Sequence, residues 1–436
     1  MATKVGVILE GMNIFLNKFG EQREKYLSNP GFFTRDRVLT FWQICWFIVN
    51  QSKRSLSIEL EDHFSGQSLK SCSKGAFSKA RYRINPVFFK DWHRHLVELL
   101  YSASKKMKTW RGFRLVGVDG STLYLPSTQE MADEFGVQEN QYVYIPMARA
   151  GYAVDLLNGF CLGAWLGAMS EGEDVFAHEY LELSKERDIV IYDRNFPSFE
   201  FIYKHLEWKI PFVMRCKTGF NQVVQNFVAT KKRQLTVEFP MTRVALKSLK
   251  SQGCKVTNDH TVKVRLLRIE LGGEAEVEVL ITSLLDAKKY PHSCFKTLYG
   301  LRWGIETQFD KIKNKMQIEI FSGHKPEAIY QDFYAVAIAT NLHTMLVREC
   351  DPDLDEINKK RRTKVAINQN VTFDILKKRL IKLVANAKPI GFIKVIIALF
   401  ITHLELVRPG RLYPRTRPIR RLNGKYQTFT NYRRAC

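Results

Sequence analysis

Two apolar runs that each stop at an aspartate constrain this chain more than any other feature. Phe113-Arg114-Leu115-Val116-Gly117-Val118 closes on Asp119-Gly120-Ser121-Thr122, and Asp188-Ile189-Val190-Ile191-Tyr192 closes on Asp193. Short runs this rich in β-branched residues read as buried strands. The first is expected to end at Asp119, with Thr122 to Leu125 returning as a hairpin partner. Tyr142 to Ile145, Ala150 to Val154 and Pro211 to Arg215 are further strand candidates. Helices are expected over Asp174 to Glu186, opened by a capping box of Ser170 and Glu173, and over Pro197 to Trp208. A β-rich stretch followed by β/α alternation fits an α/β class, a mixed sheet flanked by helices.

The 436 residues exceed one ordinary domain. Residues 1–105 read as a helical N-terminal region, 106–216 as the first part of the α/β core, 217–275 as an insertion and 276–345 as the second part of the core. Residues 346–436 read as a C-terminal helical region with a basic tail. In the N-terminal region, Thr34 can cap a helix running through Phe41, Trp42, Ile44, Trp46 and Phe47. Asn85-Pro86 ends the segment Ser73 to Ile84 and starts the next helix. That segment carries Lys74, Lys79 and Arg81, and a short basic helix after two apolar ones resembles a helix-turn-helix reader of DNA. In the insertion, Gln222 to Ala229, Gln234 to Phe239 and Thr261 to Leu271 read as strands, which predicts an all-β module. The tail from 408 to 436 holds nine arginines and lysines and no acid, with Tyr413, Tyr426 and Tyr432 between them, and is expected to lie along DNA.

The formal net charge of +23 makes a polyanion, most simply nucleic acid, the expected partner. The eight cysteines include no Cys-x-x-Cys pair, so a zinc ribbon is not expected, and they read as reduced thiols of a cytoplasmic, nucleoid-associated protein. The first residues lack a signal-peptide pattern. Phe41 to Val49 is too short to span a bilayer, and Phe392 to Val407 is broken by Lys394, His403 and Glu405, so no membrane partner is expected. No Gly-x-x-x-x-Gly-Lys loop is present, which argues against NTP hydrolysis.

Beyond the insertion, Tyr299, Arg302, Glu306 and Lys313 recur at spacings of three, four and seven. On one helix these positions share a face. A carboxylate among phosphate-binding groups is what metal-dependent phosphoryl transfer on nucleic acid requires. Three carboxylates, Asp119, Asp193 and Glu306, suffice to hold two Mg²⁺ ions, which prefer hard oxygen ligands and few protein groups.

The stripe resembles the Tyr-Arg-Glu-Lys signature of the fourth insertion-sequence family of DDE transposases, and all four positions match. The Asp119-Gly-Ser segment and the Asp193-Arg-Asn-Phe segment resemble that family's two aspartate motifs in the expected order. The long gap between Asp193 and Glu306 suits its β-strand insertion. The resemblance covers roughly residues 30–405. It implies a ribonuclease-H-like core performing cut-and-paste transposition, with Asp119, Asp193 and Glu306 as a triad binding Mg²⁺, for which Mn²⁺ can substitute. Tyr299, Arg302 and Lys313 would then grip the backbone at the transposon end. The implied partners are double-stranded DNA, both transposon ends and target, and a second copy of the chain in the synaptic complex. Two departures stand out. Asn195 replaces a common glycine, and residues 217–275 contain no tryptophan to stack a flipped base. A nuclease without strand transfer on the same core, or a DNA-binding regulator with a dead site, are the alternative readings.

Overall fold

A computed structural model describes residues 2–35, 37–104, 107–140, 143–270, 277–386 and 389–408. Among these, nine strands form one sheet: β1 Arg114–Tyr124, β2 Val137–Asn140, β3 Val143–Asp155, β4 Cys161–Ala168, β5 Asp188–Tyr192, β6 Phe212–Cys216, β7 Gln234–Pro240, β8 Thr261–Glu270 and β9 Val277–Thr282. The order is β2-β3-β1-β5-β6-β9-β8-β7, with β4 also paired to β3. β1, β3 and β4 form an antiparallel meander, and β5 and β6 add in parallel to β1 after helical crossovers. This is a ribonuclease-H-like mixed sheet.

Period-2 alternation assigns each strand residue to a face. Leu115, Ile189, Ile191 and Val213 pack with Phe295, Leu298 and Tyr299 on one side. Val116, Val118, Val190 and Tyr192 belong to the larger core on the other. That core is continuous with the N-terminal helices Ala2–Asn17, Phe41–Asn50 and Val87–Ala103 and with the C-terminal helices Pro326–Glu349, Gln369–Val384 and Ile390–Thr402. The boundary expected at 345/346 falls inside the buried helix Pro326–Glu349.

Several local expectations differ from the structure. β1 does not stop at Asp119. It runs on to Tyr124 because β3 continues to pair with it, Asp119 facing Tyr152 and Tyr124 facing Met147. The two candidates Tyr142–Ile145 and Ala150–Val154 are parts of the single strand β3; Tyr142 itself lies outside the described residues. The Phe41–Asn50 cap is Thr40, which accepts from Gln43 N at 3.2 Å, while Thr34 donates to Gly31 O in a preceding turn. Helix Glu173–Leu183 starts after Gly172 with no side-chain cap, and Glu173 faces Arg149 instead of closing a capping box.

The insertion carries strands but is not all-β. Gln222–Ala229 is a helix capped by Asn221, which accepts from Val224 N at 2.8 Å, and Arg243–Ser251 is a second helix capped by Thr242. A side-chain cap at Asn221 commits the segment to helix despite its valines. β7 and β8 extend the main sheet through β9 and do not form a separate module. The basic tail lies outside the described residues beyond Arg408. No helix among the described residues is long and apolar enough to cross a membrane, and the seven described cysteines are free thiols.

Two buried lysines lack a carboxylate partner among the described residues. Lys311 Nζ donates to Thr344 Oγ1 at 2.9 Å, and Lys377 Nζ donates to the Val49 carbonyl. Burial, aided by Lys315 in one case and Lys53 in the other, pulls each down to about 7. Between pH 7 and the ordinary lysine range the unfolded chain therefore binds more protons than the folded one. Stability should rise with pH there, by up to about 1 kcal/mol per pH unit for each lysine. Urea midpoints measured at pH 7 and pH 9 should show this rise, and the Lys311→Met and Lys377→Met variants should flatten it. Equal midpoints in the wild type would mean that both amines stay charged in the fold.

Candidate active site

β1 and β5 run in parallel register from Arg114 opposite Asp188 to Gly117 opposite Ile191. Two residues further along each strand stand Asp119 and Asp193. Neighbouring strands lie about 4.8 Å apart, so the register sets the two aspartates side by side where β5 ends. Both share the parity of Leu115 and Ile189 and face the layer that carries Tyr299. Each carboxylate accepts from the backbone N–H that follows it: Asp119 Oδ1 from Gly120 N at 2.9 Å, within β1, and Asp193 Oδ1 from Arg194 N at 2.6 Å, just past β5.

The segment above them is broken into three pieces. Helix Ser293–Gly300 gives way at Leu301 to tighter bonds, Arg302 N to Tyr299 O at 3.0 Å and Ile305 N to Arg302 O at 2.9 Å. Helix Trp303–Asp310 then passes into a π-helical turn, Lys311–Lys315. Tyr299, Arg302, Glu306 and Lys313 are thus not a stripe on one ideal helix: the first three side chains meet at Arg302, and Lys313 turns to β1.

Arg302 is 5 % exposed and sits at the centre. Its guanidinium stands 3.7 Å from Asp119 Oδ2 and donates to Glu306 Oε1 at 3.2 Å. It lies over the rings of Tyr299, at 5.8 Å, and Trp303, at 5.3 Å. Burial works against its charge, but Tyr299, Asp193, Asp119 and Glu306 outweigh burial and raise its pKa. One guanidinium therefore serves three carboxylates, which leaves the cluster short of positive charge. Asp119 registers the deficit. Burial pushes it up to about 6, and Glu173 and Asp193 add to the rise, against the Gly120 amide and Arg302.

Tyr299 is 2 % exposed, its hydroxyl has no hydrogen-bond partner among the described residues, and burial raises it to about 12. Lys313 is half-buried and donates to the Thr122 carbonyl at 2.6 Å, tying the π-turn to β1. In this structure neither Tyr299 nor Arg302 offers a free surface to a DNA backbone, because both pack into the layer beside the sheet. Trp303, at 55 % exposed, is the open aromatic of this segment.

The basic helix Lys74–Arg81 divides in the same way. Lys74 and Lys79 are exposed. Arg81, expected to contact DNA, is 1 % exposed and pairs with Asp332 at 2.9 Å, Gln331 at 2.9 Å and Ser322. It follows Phe77 by four positions and adjoins Ala80, so it lies on the buried face of its own helix. That spacing was visible in the sequence. Glu173 and Arg149 were not picked out as site residues. They stand 3.5 Å apart on the far side of β1, where Gly120 leaves no room for a Cβ against Glu173. Nothing in the sequence pairs positions so far apart.

The donor set suits a hard divalent cation in its chemistry: three carboxylates, no thiolate or imidazole, and a local excess of negative charge. Among the described residues, no three His, Cys, Asp or Glu side chains are gathered closely enough to hold a metal ion together. The Arg302 guanidinium takes up Asp119 and Glu306 instead.

The family described as "Transposase DDE domain" matches residues 110–342. Transposase InsG for insertion sequence element IS4, from Escherichia coli (strain K12), is 26 % identical over 244 residues, 53 % of this chain and 52 % of its own length. The chain thus spans about half the length of this curated relative. A solved structure described as a cryo-EM structure of piggyBac transposase synaptic complex with hairpin DNA aligns over 95 % of this chain and 86 % of that one, at 12 % identity and a TM-score of 0.42.

Proposed function

The chain belongs to the transposase DDE domain family, and on that premise we propose that it cuts an insertion sequence out at its terminal inverted repeats and joins the freed 3′-hydroxyl to target DNA. The observation that carries the reading is the side-by-side register of Asp119 and Asp193 on the sheet face that also bears Arg302 and Glu306. Asp119, Asp193 and Glu306 would hold Mg²⁺, with Mn²⁺ as a substitute. When bound, such ions activate the attacking oxygen and stabilise the leaving one.

The chain's own residues supply the rest. Arg302 keeps Asp119 and Glu306 together and, with its fork of donors, can pass from carboxylate to phosphate oxygen at little geometric cost. Tyr299 walls its guanidinium on one side. Lys313 fastens the helix of Glu306 to the strand of Asp119 through Thr122, so the two ligands move as one body. Lys74 and Lys79 face solvent and suit contacts to the DNA backbone. Two ends must be brought together, which calls for a homodimer on double-stranded DNA.

Excision tests the reading. The coding sequence with its flanking DNA is placed on a plasmid, beside an Asp193→Asn control, and the donor is scored for loss of the element. Excision by the wild type alone is expected. Excision by both, or nicking of pre-cut ends without joining, would replace this reading with a nuclease or an activity from elsewhere.

A further inference from the structure

The basic turn Lys231-Lys232-Arg233 links the insertion helix Gln222–Ala229 to β7. Strand register fixes where it stands. Tyr192 lies opposite Met214, which puts Asp193 level with Arg215. Arg215 pairs with Leu280, Leu280 with Leu267, and Leu267 with Gln234. Gln234 therefore ends a row that begins at Asp119 and Asp193, and the turn follows at the next residue outward. Leu267 and Leu280 share a layer with Leu115 and Ile191, so the row keeps one face of the sheet. Four strand spacings separate Asp193 from the turn, or about 19 Å.

The backbone of the turn is held in place. Arg268 N donates to the Arg233 carbonyl at 2.8 Å, and the Arg268 guanidinium donates to the Lys232 carbonyl at 3.3 Å and to the Val228 carbonyl. Lys232 N donates to Thr230 Oγ1 at 3.4 Å. Lys231 has a φ of 58°, in the left-handed region where glycine or asparagine fits with less strain. A cation stands there instead, beside two more. All three side chains are exposed and form no ion pair among the described residues.

The edge between the carboxylates and the turn is cationic too. Arg194 stands just past β5 and Lys217 just past β6, and both are exposed. Glu278 is the acid on this stretch among the described side chains, and Arg215 takes it up. A line of exposed cations leading away from paired carboxylates matches the regular phosphates of a duplex. At 3.4 Å per base pair, the distance from Asp193 to the turn corresponds to about six base pairs.

We propose that the 231–233 turn grips the sugar-phosphate backbone of duplex DNA about six base pairs from the bond cut at Asp119 and Asp193. The proposal rests on the transposase reading for the position of that bond. Duplex inside the element and duplex flanking it offer the same phosphates. With this second anchor the duplex axis lies along the sheet edge, and the bond is presented to the carboxylates in a fixed orientation.

The test uses the full chain and the fluorescence anisotropy of labelled duplexes that carry an end of the element with its flank. Lys231→Asn combined with Lys232→Gln and Arg233→Gln should weaken binding about tenfold or more when about 20 base pairs remain on each side. The slope of log affinity against log salt should become shallower by about two to three. Asparagine suits the φ of Lys231, so the urea midpoint should not fall. Lys360→Gln with Arg361→Gln and Arg362→Gln, an equal loss of charge in the exposed loop after helix Asp351–Lys359, should change binding less than about twofold. Cutting one side of the duplex back to about four base pairs should abolish the difference between wild type and turn variant. The side on which this happens, element or flank, is the side that the turn holds. A difference that survives both truncations, or a turn variant that binds no more weakly than the control, would overturn the proposal. Cleavage of end DNA is followed on the same preparations. Cleavage by a wild type whose binding ignores the turn defeats this inference alone. Turn-dependent duplex binding in a chain that never cleaves defeats the transposase reading alone.

Discussion

Replacing Glu306 by Gln is expected to lower DNA cleavage by about a thousandfold or more, a loss of about 4 kcal/mol in transition-state stabilisation. Gln keeps the length of the side chain and an oxygen for Arg302, so the fold should tolerate it. The buried guanidinium of Arg302 is not stranded by the change, because Asp119 Oδ2 stays 3.7 Å from it. The change removes the negative oxygen that a divalent ion needs. Binding to end DNA should persist, because no cation has been removed. Cleavage of a labelled end-bearing duplex and a gel shift of the same duplex separate the two effects. Cleavage within tenfold of the wild type would remove Glu306 from the active site.

The largest stability effect is expected at Asp332. Asp332→Ala should destabilise the fold by about 3–5 kcal/mol, because it strands the fully buried guanidinium of Arg81. Asp332 also accepts from Ser322 N at 2.6 Å and Ser322 Oγ at 2.7 Å, so the loop before helix Pro326–Glu349 loses its anchor too. Burial would push this carboxyl up, but Arg81, Lys53 and Ser322 together hold it down to about 2. Its folded value lies below its unfolded value of about 4. The contribution is therefore complete above about pH 4 and is lost as pH falls from there toward 2. Urea midpoints at neutral pH should fall sharply for Asp332→Ala and recover in the double variant Arg81→Met, Asp332→Leu, which leaves no charge unpaired. A single variant as stable as the wild type would show that the pair contributes nothing net.

Arg81 also marks a boundary of sequence reading. A basic residue on a short cationic helix suggests a ligand contact, and Lys74 and Lys79 are indeed exposed. Arg81 differs because Asp332, far along the chain, supplies the charge that makes its burial tolerable. The insertion misread has a local cause. Valine and phenylalanine in Gln222–Ala229 satisfy strand and helix patterns alike, and the Asn221 cap decides between them. The tighter backbone at Leu301 and Arg302 shows the limit of helical spacing: four residues at spacings of three, four and seven lie on one face only if the helix runs unbroken.

The sequence by itself determined the elements that depend on near neighbours. Apolar β-branched runs made strands, Asn85-Pro86 made a helix start, and the aspartates after Val118 and Tyr192 were recognisable because each follows directly on an apolar run. It also determined the identity of the carboxylates and the sign of the molecule's charge. Tertiary structure alone decided how they meet. The parallel register of β1 with β5 brings Asp119 beside Asp193, and strand parity turns both toward Arg302. The pairing of β3 carries β1 beyond Asp119 to the Thr122 carbonyl that holds Lys313. Register, face and long-range charge pairing arise from contacts between segments remote in the chain, and no local pattern records which partner a strand or a buried arginine will find.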